Sequence, residues 1–291
     1  MKTQHRCRAP GQTGFTLVEL MVALVVGMMV IAALLAGYFA ISVSNRHTRA
    51  MTQMSEDAGA ALSVLRSHLA QAGYSRPVSG DSNGFQRAWL QSQSTFVRGC
   101  DSGFTDPTKA IGLLACEDSS GNDALHDAVS VAYEADTSNS ITSGGVPLDC
   151  LGNALTLVGG ANSYYLNTST FYLDDGVGNR RALFCRGSGG GTAQALVENV
   201  EDLQILYGVR ATSDPPGTPV RVAFYGKASK PVAWANVVSV RLCVVVASSD
   251  EVMDDAAPYY DCSDTEVVPN DKRMYRAFRS TVLLHNRLGA L

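Results

Sequence analysis

From Leu20 to Ile41 the chain runs for 22 residues without a charge or a proline. At about 1.5 Å per residue such a helix rises about 33 Å, enough to cross a hydrocarbon core about 30 Å thick. A segment this apolar requires a membrane or the interior of an assembly around it. Glu19 departs from the pattern. It stands where the apolar run begins, and an isolated carboxylate costs about 2.5–3.5 kcal/mol at a membrane centre, less towards the edge.

The segment is not built like an ordinary secretory signal, in which about 7–15 apolar residues precede a small-residue cleavage site. Here a basic leader comes first, residues 1–14 with Lys2, Arg6 and Arg8, then a Gly14–Phe15 junction, then the long apolar run. A plain membrane anchor accounts for the run and leaves Glu19 unexplained. Arg46 and Arg49 follow on the other side, so charge counting leaves the orientation open.

Between Pro10 and Pro77 there is no proline, so the helix is expected to continue beyond the apolar segment. Met51, Met54, Ala58, Ala61, Leu62, Leu65, Leu69 and Ala72 recur at spacings of three and four, with polar residues between them. That is one apolar stripe on a helix packed on one side. Gly73 is the expected stop. The organisation read from this is a leader over 1–14, a transmembrane or filament-core helix over 15–41, its amphipathic continuation over 42–73, and a β-rich exposed domain over 74–291.

Residues 75–125 read as loop with short elements. Strands are expected at 128–134, more weakly at 154–158, 163–173 and 181–186, with a turn at 174–179. The R-G-S-G-G-G-T run at 186–192 reads as a flexible link and fits no phosphate-binding loop. Later alternations are clearer: Leu203, Ile205, Tyr207; Val220, Val222, Phe224; Val238 to Val246 at every second residue; and Phe278, Val282, Leu284 in a last strand over 275–285, after an acidic loop at 250–271. Strands that follow one helix without β-α-β alternation define an α+β fold with an antiparallel sheet.

The cysteines are 7, 100, 116, 150, 185, 243 and 262. Cys7 lies in the leader, and the other six lie beyond the apolar helix. An even number in an exported domain reads as up to three disulfides, which staple the fold. Fifteen pairings are open. The neighbour pairs Cys100–Cys116, Cys150–Cys185 and Cys243–Cys262 close the shortest loops. With no C-x-x-C pair, a metal site of cysteines is disfavoured. The net charge of −4 becomes −7 once the leader is removed, which does not suggest a nucleic-acid partner. His5, His47, His68, His126 and His285 show no ligand spacing, and no G-x-S-x-G elbow occurs, so no catalytic residue is assigned and no enzyme is expected. Calcium would be sought at Asp174–Asp175, at Asp250–Asp255, or at Asp261, Asp264 and Glu266. None fits an EF-hand loop and solvated turns are the plainer reading, so no metal or other cofactor is expected.

The stretch G-F-T-L-V-E-L-M-V-A-L (14–24) resembles the cleavage and methylation signature of type IV prepilins and type II secretion pseudopilins. L-V-E-N-V-E-D-L-Q-I-L-Y-G-V (196–209), W-A-N-V-V-S-V-R-L (234–242) and Y-R-A-F-R-S-T-V-L-L-H-N-R-L (275–288) resemble the PilW-type minor pilins of type IV pili. The resemblance implies a pilin-like fold, with the long helix packed on the antiparallel sheet. It also implies peptidase cleavage between Gly14 and Phe15, N-methylation of Phe15, and an assembly role for Glu19, paired with the N-terminal amine of a neighbour's Phe15. The partners implied are prepilin peptidase, the inner-membrane assembly machinery, the major pilin, other minor pilins and a tip adhesin. The implied location is the inner membrane with the domain in the periplasm, then the pilus at the cell surface. Its implied task is initiation or assembly of the pilus, and through it twitching motility. Residues 75–195 match nothing useful and are where partner specificity is expected. A minor pseudopilin of a type II secretion system shares the junction and architecture. A membrane-anchored periplasmic binding module is the alternative of another class.

Overall fold

The computed structural model describes residues 14–81, 84–87, 95–117, 126–160, 163–178, 180–211, 220–230 and 233–288. The leader, with His5 and Cys7, lies outside them apart from Gly14. The described residues form two compact units divided between Arg49 and Ala50.

One helix, α1 (Leu17–Gln71), begins in the first unit. There its large apolar side chains from Leu17 to Ile41 are exposed. By length and composition this helix can cross a membrane.

In the second unit the same helix is amphipathic. Met54, Ala58, Ala61, Leu65 and Leu69 are buried, with Ala72 just past its end. Leu62 is partly buried and Met51 is 43% exposed, so the stripe is narrower than the spacing suggests. Gly73 ends the helix at φ 72°, the left-handed conformation in which a side chain would be strained, and its N–H donates to Ala132 O at 3.0 Å. Buried Glu134 then fixes the exit. It accepts bonds from Ser75 Oγ (2.8 Å) and Arg76 N (2.9 Å) and pairs with Arg76 Nε at 2.9 Å.

Nine principal strands follow. Strands β1 (Val97–Cys100), β2 (Ala128–Ala135), β3 (Tyr164–Asp175), β4 (Arg181–Arg186) and β5 (Gln194–Glu198) pair in chain order in one sheet, with Leu157–Val158 added to β3. Strands β6 (Val200–Arg210), β7 (Val222–Gly226), β8 (Val237–Glu251) and β9 (Arg273–Leu283) form a second sheet in the order β7-β6-β8-β9. All these pairings are antiparallel. The fold is α+β, with two main sheets in place of the one expected.

Asn199 is the reason for two sheets. It alone separates β5 from β6, at φ 61°. A left-handed residue breaks the regular pleat, and the chain passes from one sheet into the other there. Asn199 O accepts from Ala247 N (3.0 Å) on β8, and its amide reaches Asp57 Oδ2 on α1 at 3.5 Å.

Both sheets face the helix. Val129, Val131, Tyr133, Phe171 and Leu183 from the first, and Leu203, Ile205, Tyr207, Val240, Leu242, Val244 and Val282 from the second, share one core with the α1 stripe. Strand β2 is buried along its whole length because a second cluster covers its other side: Ala128 and Ala132 pack with Phe96, Phe104, Ile111 and Leu114. The described part of 96–117 therefore forms a small core layer with β1 and the 3₁₀ turn Ile111–Leu113, and Pro77–Asp81 pairs with Gly84–Arg87 in a hairpin. The layer's apolar residues are too scattered for a periodic signal.

Three disulfides join Cys100–Cys116, Cys150–Cys185 and Cys243–Cys262. Three local readings change. The 186–192 run is a pinned turn, since Gly189 N donates to Asp149 Oδ2 (2.8 Å) and Asn153 Nδ2 to Gly190 O (3.0 Å). The acidic stretch 250–271 holds a short hairpin, Tyr259–Tyr260 with Glu266–Val267. Phe224 is half exposed on β7, which among the described residues pairs with β6 alone.

Candidate functional site

Gly14, Phe15 and Thr16 precede the helix outside any regular element, and Phe15 is 88% exposed. Thr16 and Glu19 form a reciprocal cap. Glu19 Oε2 accepts from Thr16 N (3.1 Å) and from Thr16 Oγ1 (3.2 Å), while Glu19 N donates back to Thr16 Oγ1 at 3.2 Å. A helix start leaves its first N–H groups without intrahelical partners, and a Thr at the cap with a Glu three residues on satisfies two of them. The carboxylate also stands at the positive end of the helix dipole. Oε1 has no partner among the described residues. The T-x-x-E pattern at 16–19 is itself a helix-start signal in the sequence.

A second polar feature was not foreseen. A cleft of about 800 Å³ lies among Asp101, His126, Arg181, Asp202, Lys227 and Arg273. His126 Nδ1 meets Asp202 Oδ1 at 2.8 Å, and its Nε2 is bonded by the Arg181 guanidinium. An Asp–His pair can serve as a base only if Nε2 faces a nucleophile or water. Here Arg181 occupies that nitrogen, so the trio braces β4 against β6. Arg273 bonds Glu201 (2.7 Å), Asp271 (2.6 Å) and Tyr275 Oη (2.7 Å). Burial works against the Asp271 charge, but bonds from Arg273 and Tyr275 hold its carboxyl below the usual range. These residues are far apart in sequence and no motif links them.

Among the described residues no group of His, Cys, Asp and Glu is arranged to hold a metal. Asp261 caps its own turn through Ser263 N (2.7 Å) and Thr265 N (2.9 Å), and Asp264 pairs with Arg279 at 2.6 Å. His68 packs edge-on against Phe171 (5.1 Å), with its Nδ1 3.2 Å from Tyr133 Oη. His285 begins the terminal helical turn His285–Leu288.

A capped apolar helix thus continues as an amphipathic one packed on two antiparallel sheets with three disulfides, an α+β architecture. Residues 10–35 match the Prokaryotic N-terminal methylation motif, and residues 170–286 match the family Type IV Pilus-assembly protein W. Together these matches support reading the chain as a minor pilin of type IV pili, of the PilW type. No curated protein matches it in sequence. Among solved structures, a type IV-like pilin from Thermus thermophilus aligns over 80% of this chain and 97% of its own, at 11% identity and a TM-score of 0.38.

Proposed function

We propose that the chain is cut between Gly14 and Phe15, holds its globular domain on the periplasmic face of the inner membrane, and then enters the pilus through the apolar helix. It acts as a structural subunit in initiating or assembling the filament, with other minor pilins, the major pilin and a tip adhesin as neighbours, and performs no catalysis. The observation that carries this reading is Glu19 at the head of an exposed apolar helix, with one carboxylate oxygen on Thr16 and the other without a partner among the described residues. After cleavage the amine of Phe15 is cationic and equally ill-placed in apolar surroundings. Pairing it with Glu19 of a neighbour neutralises both charges.

The test is mass spectrometry of sheared filaments from cells with and without the peptidase, for wild type and Glu19→Ala. A mature chain beginning with N-methylated Phe15 in the filament fraction is expected. Glu19→Ala should still insert in the membrane and be depleted from filaments. Unprocessed protein confined to the membrane would favour a tethered binding module instead.

A further inference from the structure

Strand β9 is an edge of the second sheet and, among the described residues, pairs with β8 alone. Helix α1 runs beside this edge, and two depressions share the same walls. One, about 290 Å³, lies among Met51, Met54, Met274 and Phe278. The other, about 700 Å³, lies between Leu62, Arg66 and Ala70 of the helix and residues 279–283 of the strand. Together they follow β9 from one end to the other.

The groove is basic although the chain as a whole is acidic. The chain carries −4, or −7 without the leader. No carboxylate lines either depression, whereas Arg66, Arg276, Arg279 and His285 do. Arg279 is engaged by Asp264, and Arg66 has no acidic partner among the described residues. Arginines on an edge strand also discourage non-specific pairing. Arg66, however, is on the helix and guards no backbone edge.

We infer that this groove receives an extended acidic segment of another pilus subunit, added as a further strand on β9. An open strand edge supplies main-chain hydrogen bonds to such a segment, and the flanking side chains select its sequence. About ten extended residues span roughly 33 Å, which matches the eleven residues of β9. The apolar end of the groove suits a large apolar side chain, and the end at Arg66 and His285 suits carboxylates. The chain's own acidic stretch is not free to serve: it is tied by Cys243–Cys262 and by the bond from Met253 N to Lys272 O. The occupant so inferred is a different protein. Its identity as a pilus subunit rests on the function proposed above.

The experiment places a photo-crosslinking benzophenone residue at exposed Ser67 or Thr281 of the full chain in cells, and maps the adducts by mass spectrometry. Both positions should capture one segment of one partner, within about ten residues of each other and rich in Asp or Glu. Adduct yield should fall about fivefold or more in Arg66→Glu and be retained in Arg66→Lys. Adducts that scatter, map to this chain's own sequence or to a helix, or ignore the charge at position 66 would overturn the inference. A third crosslinker at Ala33 in the apolar helix reports filament packing separately. Loss of Ala33 adducts alone removes the pilus reading, and loss of those at Ser67 and Thr281 alone removes the groove.

Discussion

Tyr207 stands in the space that a side chain on residue 99 would fill. A Cβ added to Gly99 would lie 1.9 Å from Tyr207 Oη and 2.4 Å from Cζ. The ring of β6 thus lies directly on the β1 backbone, with Trp234 edge-on at 4.9 Å and Arg98 above the indole at 5.4 Å. Gly99→Ala should destabilise the oxidised protein by about 1–3 kcal/mol, the usual cost of overpacking a filled core. Tyr207→Phe should behave differently. The hydroxyl is buried and has no partner among the described residues, so removing it should change stability by less than about 1 kcal/mol. Urea unfolding of the full chain in detergent measures both.

Asn199 invites a different substitution test. At φ 61° a β-carbon is strained, and asparagine tolerates the conformation better than most residues. Asn199→Ala should cost about 1–2 kcal/mol, combining strain with loss of the contact to Asp57. Asn199→Gly loses the same contact and relieves the strain, so it should be milder. If the two variants unfold at the same urea concentration, the backbone conformation is not what matters at the crossing between sheets.

How much of this was legible in the sequence differs from element to element. The helix was, because its 3.6-residue pattern needs no partner to be recognised: Met54, Ala58, Leu65 and Leu69 are buried as their spacing requires. The alternation from Val238 to Val246 was legible too, by its period of two, and lies within the strand Val237–Glu251. The division into two sheets was not, because it depends on the φ of one residue, and asparagine is common in many conformations. Nor was the layer around Phe104 and Ile111, whose burial comes from packing across β2 and not from any local period. At the site, Glu19 was conspicuous as a charge among apolar residues, whereas the bracing of His126 by Asp202 and Arg181 joins positions up to 76 residues apart.

The small layer over β2 depends on Cys100–Cys116, which closes a loop with a sequence separation of 16. By chain entropy such a crosslink contributes about 3 kcal/mol. Replacing both cysteines by serine should lower stability by about that amount. It should also make the 101–117 segment the first site cut by trypsin or chymotrypsin, while the α1 core resists. Even digestion across the domain would show that the layer is not held separately.

Two buried groups should give the protein an asymmetric response to pH. Burial pushes the Asp127 carboxyl up from 3.8 to about 8, although a 2.5 Å bond from Ile205 N pulls the other way. Nearby Asp101 and Asp202 add to the rise, and Lys227 opposes it. The folded state therefore holds this proton more tightly than the unfolded chain does. Its contribution is complete below about pH 4 and is lost as pH climbs towards 8. His68 does the reverse. Burial lowers it from 6.5 to about 4, so its contribution is present above pH 6.5 and fades as pH falls towards 4. Between those values the two slopes oppose, and from pH 6.5 to 8 only the loss from Asp127 remains. Asp127→Asn keeps an acceptor for Ile205 N and removes the titration. Its melting temperature relative to wild type should rise steadily from pH 4 to 8 and then level off. His68→Gln should instead gain on wild type only below pH 6.5. Thermal unfolding followed by near-ultraviolet circular dichroism in detergent, from pH 4 to 9, separates the two. A constant offset for Asp127→Asn would mean that the carboxyl is ionised in the folded protein throughout.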